Sequence, residues 1–182
     1  MLALNFTPFP ELKTQRLLLR KLEKTDANEM FFLRSNENVL RYIGREPAKT
    51  ITEVEEFINM INKNVDGNES ILWGITFLND PSTIIGTICI WNFKKENYRG
   101  EIGYLLHPDH WRKGIMKEAV NAVVDYGFTV LNLHSIEALL DPKNIASSSV
   151  LESTGFVKEG HIKESLYFNG EFKDEAIYSK LK

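Results

Sequence analysis

Between Ile115 and Phe128 the apolar and small residues fall at 115, 116, 119, 120, 123, 124, 127 and 128, the spacing of a helix with one buried stripe. A second stripe, Val54, Phe57, Ile58, Ile61 and Val65, overlaps Thr52-Glu-Val-Glu55, which fits a capping box, and predicts a helix over about residues 53–65. Thr25 is placed to cap a shorter helix from about Asp26 to Arg34. Elsewhere the pattern is that of strands. Arg16 to Leu22, Ile71 to Leu78, Thr83 to Trp91, Glu101 to Leu106 and Ser135 to Leu140 are short apolar runs bounded by turn residues. Asn79-Asp-Pro-Ser82 joins the second and third runs into a hairpin. Asp141-Pro-Lys-Asn144 leads into a short helix ending before Gly155, a C-terminal cap, and Asn169-Gly170 marks a tight hairpin between Leu166–Phe168 and Glu171–Tyr178. This order predicts an α+β fold of three layers, α/β/α: a central sheet, antiparallel at its start, with helices on its faces.

The chain's 182 residues suit a single domain, residues 1–182, and no repeat, low-complexity segment or linker divides them. A net charge of -3 argues against broad, phosphate-driven association with nucleic acid. Cys89 is the only cysteine and lies in the apolar run Ile88-Cys-Ile-Trp91, so it is expected to be a buried, inert thiol. The N-terminus lacks a basic signal-peptide region, and no run approaches the roughly 20 apolar residues of a membrane span. A cytoplasmic chain with no membrane or nucleic-acid partner is expected.

One stretch carries more chemistry than folding demands. In His107-Pro-Asp-His-Trp-Arg-Lys-Gly-Ile-Met-Lys-Glu-Ala-Val120, an Arg-Lys-Gly turn stands directly before the clearest helix. A helix start already presents unpaired N–H groups and partial positive charge, so adding Arg112 and Lys113 makes electrostatic sense if an anion is expected. Gly114 lets backbone approach a ligand closely, and a diphosphate fits the N–H groups of residues 112–116. The residues alone leave a plainer reading open, two solvated cations and a turn glycine. His107 and His110 lie three apart around Pro108 without an evident third ligand, so no metal site is expected. Trp73, Trp91 and Phe93 alternate as core aromatics do.

Trp111-Arg-Lys-Gly-Ile-Met116 resembles the coenzyme A diphosphate loop of the GNAT N-acetyltransferases, whose usual pattern is Gln/Arg-x-x-Gly-x-Gly/Ala. Glu101-Ile-Gly-Tyr104, His107-Pro-Asp109 and Trp111 are similar to the ribosomal-protein N-terminal, or Rim-type, branch. Two further blocks agree with it: Leu12-Lys-Thr-Gln-Arg-Leu-Leu-Leu-Arg20, and Asn144-Ile-Ala-Ser147 with Val150-Leu-Glu-Ser-Thr-Gly-Phe156. The likeness spans about residues 10–180. Trp111 departs from the pattern in a way the branch tolerates. Met116 stands where Gly or Ala leaves room for phosphate. If its side chain turns into the core, only its N–H faces the ligand; otherwise coenzyme A affinity suffers.

The resemblance implies a mixed, mostly antiparallel sheet of about seven strands, splayed between the Glu101–Leu106 and Ser135–Leu140 strands. Acetyl-CoA would be the co-substrate and a primary amine the acceptor, on a peptide N-terminus or a small molecule, with acetyl transferred by direct attack in a ternary complex. Trp111, Arg112, Lys113, Gly114, Ile115 and Met116 would bind the diphosphate, Leu105 and Leu106 would line the pantetheine, and Asn144 would position coenzyme A or cap its helix. Ser147 matches the serine that protonates the leaving thiolate in this branch; Leu151 stands where many relatives carry a tyrosine. An exposed helix turn is the plainer account of Ser147 and its neighbours Ser148 and Ser149. Glu101 is the candidate base, with a structural carboxylate at a strand start as the other reading. The acceptor would be chosen by about Glu37–Ile51 and by the C-terminal hairpin, where Glu37, Glu46 and Glu171 attract a cation or merely solubilise. A homodimer is common in the branch. A coenzyme A-binding module without transfer activity is the alternative.

Overall fold

The computed structural model describes residues 1–182. The elements in chain order are β1 (Leu12–Lys13), β2 (Leu17–Arg20), α1 (Ala27–Ser35), α2 (Glu37–Leu40), α3 (Ile51–Asp66), β3 (Ile71–Phe77), β4 (Gly86–Lys94), β5 (Arg99–Leu106), α4 (Ile115–Thr129), β6 (Ser135–Leu140), α5 (Ile145–Ser153), β7 (Val157–Phe168) and β8 (Glu171–Leu181). The strands form one sheet in the order β1-β2-β3-β4-β5-β6-β8-β7, and every neighbouring pair is antiparallel except β5 and β6. The three layers follow from two apolar clusters. On one face, Met116, Ala119, Val120 and Val123 of α4 pack on Ile88, Ile90, Ile102 and Ile136. On the other, Met30 and Leu33 of α1 meet Val54 and Ile58 of α3, with Leu22 and Ile84 between them. Alternation along each strand feeds both clusters, so burying one face fixes the register.

Three local expectations are corrected. The sheet has eight strands rather than about seven, because β1 is a two-residue strand paired with β2 and too short to show a period. α3 begins at Ile51, with Thr50 Oγ1 accepting from Glu53 N–H at 3.2 Å and Glu53 Oε2 accepting from Lys49 N–H at 2.9 Å. The sequence holds two overlapping Thr-x-x-Glu boxes, and the upstream one adds helical residues and their backbone bonds. Thr25 does not cap α1. The neighbouring Asp26 organises that entry instead, accepting from Glu23 N–H at 2.8 Å and from both terminal nitrogens of Arg20 at 2.7 and 2.8 Å. The C-terminal hairpin turns at Asn169 and Gly170, both at positive φ, as a primed two-residue turn requires.

Candidate active site

β5 and β6 pair only at Arg99↔Ser135, Gly100↔Ile136 and Glu101↔Glu137. Beyond that point they part. Each keeps its other neighbour, β5 pairing with β4 as far as Leu106 and β6 with β8 as far as Leu140. The result is a wedge within the sheet, whose edges carry backbone N–H and C=O groups lacking a ladder partner, at residues 102–106 on one side and 138–140 on the other. Buried backbone groups need partners, so an extended, amide-bearing ligand fits here. Leu105 and Leu106 lie on this edge, and the Leu106 carbonyl already accepts from the Trp111 indole N–H at 2.8 Å.

At the wide end stands the start of α4. Arg112 (φ 59°) and Gly114 (φ 71°) are both left-handed, a conformation glycine adopts at no steric cost. Alternation of this kind turns successive N–H groups to one side, as in anion-binding nests. Arg112 and Lys113 are exposed and make no ion pair within the protein. Ile115 and Met116 are buried, Met116 at 6% exposure within the α4 cluster, so its side chain leaves the ligand face and its N–H stays available. The loop is braced by Arg16, which sequence reasoning did not single out. Its Nη1 donates to the Lys113 carbonyl at 3.0 Å while Nε pairs with Glu118 at 2.7 Å. Arg16 lies within the N-terminal block of the resemblance, the one signal for it.

Across the wedge lies the start of α5. Asn144 Oδ1 accepts from Ser147 N–H at 3.1 Å, which caps the helix and fixes Ser147. Ser147 Oγ lies 2.8 Å from the Tyr104 hydroxyl of β5. Ser148 instead donates to the Ile145 carbonyl at 3.0 Å, and Ser149 is exposed, so only one of the three serines faces β5. Leu151 is fully buried in the core. Tyr104, also not foreseen, is pushed up to about 12 by burial, against the pull of its bond to Ser147, and so keeps its proton at neutral pH. Within a strand run, a tyrosine reads as core packing; only the third dimension places its hydroxyl at the gap.

Glu101 sits at the narrow end, 7% exposed, on the face opposite Tyr104 because the two are three residues apart along β5. The structure therefore does not join Glu101 to Ser147; they flank the wedge from opposite faces. Asn92 Nδ2 donates to Glu101 Oε2 at 3.0 Å from a left-handed backbone (φ 48°). Burial raises the Glu101 carboxyl above the ordinary carboxylate range; the Asn92 bond opposes this and the neighbouring Glu137 adds to it. Glu137 itself is paired with Lys94 at 2.9 Å and Arg99 at 3.0 Å. On Glu101's face, a Cβ at Gly103 would crowd Cys89 Sγ at 3.3 Å and approach Trp91 Nε1 at 3.8 Å, so a glycine is what lets these side chains pack at the centre of the sheet. The half-buried Cys89 thiol, which donates to the Gly103 carbonyl at 3.4 Å, is pushed up to about 12 by desolvation, so it stays protonated at neutral pH.

A cleft of about 140 Å³ is lined by Tyr42 and Gly44 of the segment after α2, by Leu139 and Asp141 at the end of β6, and by Lys173, Asp174 and Glu175 of β8. It lies between the two regions expected to choose the acceptor. Glu37, Glu46 and Glu171 are exposed and outside it. His107 stacks on Phe32 at 4.2 Å and His110 packs edge-on to Phe77 at 5.4 Å, so both imidazoles take part in aromatic packing. No helix is long and apolar enough to cross a membrane.

Residues 16–157 match the acetyltransferase (GNAT) domain family. The chain is 37% identical to the uncharacterized N-acetyltransferase YoaA of Bacillus subtilis over 96% of its own length and 98% of that protein's. Among solved structures, it is similar to the ribosomal-protein-S5-alanine acetyltransferase of Vibrio fischeri, with a TM-score of 0.81 and 28% identity, covering 94% of this chain and 96% of that one. It is also similar to the spermidine N-acetyltransferase of Vibrio cholerae in complex with CoA and spermine, with a TM-score of 0.81 and 28% identity, covering 92% and 96%.

Proposed function

The chain belongs to the GNAT acetyltransferase family, and from that premise we propose that it moves an acetyl group from acetyl-CoA to a primary amine by direct attack, in a ternary complex assembled on the β5–β6 wedge. The observation that carries this reading is the parting of those strands with one hydroxyl pair, Tyr104 and Ser147, reaching across the opening. The residues present fit the co-substrate. The left-handed turn, the N–H groups of 112–116 and the free charges of Arg112 and Lys113 suit a diphosphate, and the unpaired β5 edge suits the amides of a pantetheine arm. The thioester supplies an activated acetyl carbonyl.

The amine nitrogen forms a bond to that carbonyl carbon as the C–S bond breaks, and two protons then need managing. Ser147 donates one to the departing sulfur and recovers it through the Tyr104 hydroxyl, held 2.8 Å away, which is itself reprotonated from solvent. Glu101, through water, takes the other from the amine. Its raised proton affinity brings the carboxylate nearer in basicity to its task. How much base is needed depends on the acceptor. An α-amine of pKa about 7.7–8.0 is roughly a quarter neutral near pH 7.4, whereas a lysine amine is only about 0.1% neutral. A cytoplasmic setting and acceptors of either type fit this chemistry.

The test is release of free thiol from acetyl-CoA by the purified protein with a panel of amines: peptides with free N-termini, amino acids, polyamines and aminoglycosides. Selective turnover with one group is expected. Measurable acetyl-CoA binding with no thiol release from any amine refutes the transferase reading and leaves a coenzyme A-binding module.

A further inference from the structure

A helix start that receives a diphosphate is poorly served by a carboxylate in its first turn, yet α4 carries Glu118 there. That carboxylate is engaged on the segment entering β2. Oε1 accepts from the Thr14 hydroxyl and from Arg16 N–H, the latter at 2.9 Å, and Oε2 accepts from Arg16 Nε at 2.7 Å. Thr14 is fixed in turn, its hydroxyl accepting from Leu17 N–H at 2.9 Å. The Arg16 guanidinium is thus locked on a carboxylate that is itself held by three donors.

From there the same guanidinium reaches the turn before α4. Nη1 donates to the Lys113 carbonyl at 3.0 Å, the one hydrogen bond from elsewhere in the fold to residues 112–114. Nη2 has no hydrogen-bond partner in the protein and stands 3.6 Å from where a Cβ at Gly114 would lie, so the guanidinium lies against the glycine. The turn needs such a hold. Arg112 carries a side chain at φ 59°, a conformation L-residues disfavour, and Gly114 has the freedom to leave its own. A binding loop ordered only when its ligand arrives loses that ordering cost from its affinity.

We infer that Arg16 is a positioning residue for the diphosphate site: anchored on Glu118, it holds the Lys113 carbonyl and so presets the 112–116 turn for the phosphates of coenzyme A. This rests on the co-substrate reading above. An arginine is required, because one planar fork spans a carboxylate and a carbonyl at once, whereas a lysine is a single point of charge. Glu118 is required as the anchor even though its charge opposes the ligand.

The test is calorimetry of CoA on the wild-type protein and on Arg16→Lys, Arg16→Gln and Glu118→Gln, each checked for folding by circular dichroism melting. The Kd for CoA is expected to rise about tenfold in all three. Two of them separate positioning from simple charge. Arg16→Lys keeps the cation, and Glu118→Gln removes a negative charge from beside the anion, so charge alone predicts unchanged binding in the first and tighter binding in the second. Either of those results overturns the inference. The Arg16→Gln/Glu118→Gln double variant is expected to lose no more than a single one, because one brace is lost in each; losses that add in full overturn it as well. In thiol-release kinetics the loss is expected in the KM for acetyl-CoA rather than in kcat, and to be far smaller with S-acetylpantetheine, which lacks the diphosphate. Equal losses with both donors mark a general structural role and overturn the inference. If no amine is turned over, calorimetry decides alone; if the wild-type protein fails to bind CoA, the co-substrate reading falls with the inference.

Discussion

Replacing Ser147 by Ala removes the hydroxyl proposed to face the leaving sulfur and its 2.8 Å contact with Tyr104, whose hydroxyl keeps only the longer bond it donates to the residue-147 carbonyl at 3.3 Å. Proton transfer by a placed side chain contributes about 10²–10⁴-fold. The leaving group here is a thiol, and a thiol of ordinary pKa near 8.5 departs as an anion at modest cost, so the lower end applies. The expected fall in kcat is about a hundredfold, equivalent to about 2.7 kcal/mol, with the KM for acetyl-CoA little changed. Tyr104→Phe keeps Ser147 in place and removes only its donor, so about a tenfold fall is expected. The double variant falls no further than Ser147→Ala alone, because both act through one proton path. Ser148, bonded to the Ile145 carbonyl and turned from the gap, sets the control: Ser148→Ala stays within about threefold of wild type. The assay is initial-rate thiol release at saturating amine. Equal losses in Ser147→Ala and Ser148→Ala, or a Ser147→Ala rate within about threefold of wild type, refutes the assignment.

Two further outcomes follow from buried carboxylates. Asp26, 1% exposed and gripped by both terminal nitrogens of Arg20 and by Glu23 N–H, anchors the start of α1. Asp26→Ala leaves Arg20 uncompensated and is expected to cost about 3–5 kcal/mol in urea unfolding; a loss below about 1 kcal/mol contradicts this. Glu101 binds its proton more tightly folded than unfolded, because burial raises it, so folding stability falls as pH rises from the ordinary carboxylate range through the raised value. Glu101→Gln is therefore expected to melt above wild type at neutral pH, a gain that fades near pH 4, while α-amine turnover drops modestly. A melting gain independent of pH, or a loss of several orders of magnitude on an α-amine, counts against this account.

The sequence showed the α4 stripe and the Arg-Lys-Gly turn before it clearly because each is local: a helix repeats its buried positions every three or four residues, and a turn declares itself by its glycine. It showed Met116 only as a conflict between two roles, and burial of the side chain puts the thioether in the core, leaving only the N–H for the proposed ligand. The helix caps were harder, since Thr50 and Thr52 each begin an acceptable box and backbone geometry chose between them. What could not be read is where a ladder stops. β5 and β6 are apolar throughout, and nothing in either run marks that pairing ends after Glu101 and Glu137. Tyr104 and Arg16 share that difficulty, because each gains its meaning from a partner far away in the chain.

The three-residue ladder between β5 and β6 also sets how the two halves of the sheet relate mechanically. It works as a pivot, with five strands on one arm and three on the other, and Glu101 stands at the fulcrum. A small rotation there widens the mouth near Leu106 and Leu140 in proportion to distance from the pivot, while hardly displacing the carboxylate. On the proposed mechanism, acceptors of different girth can thus be admitted at the rim without moving the Glu101 carboxylate.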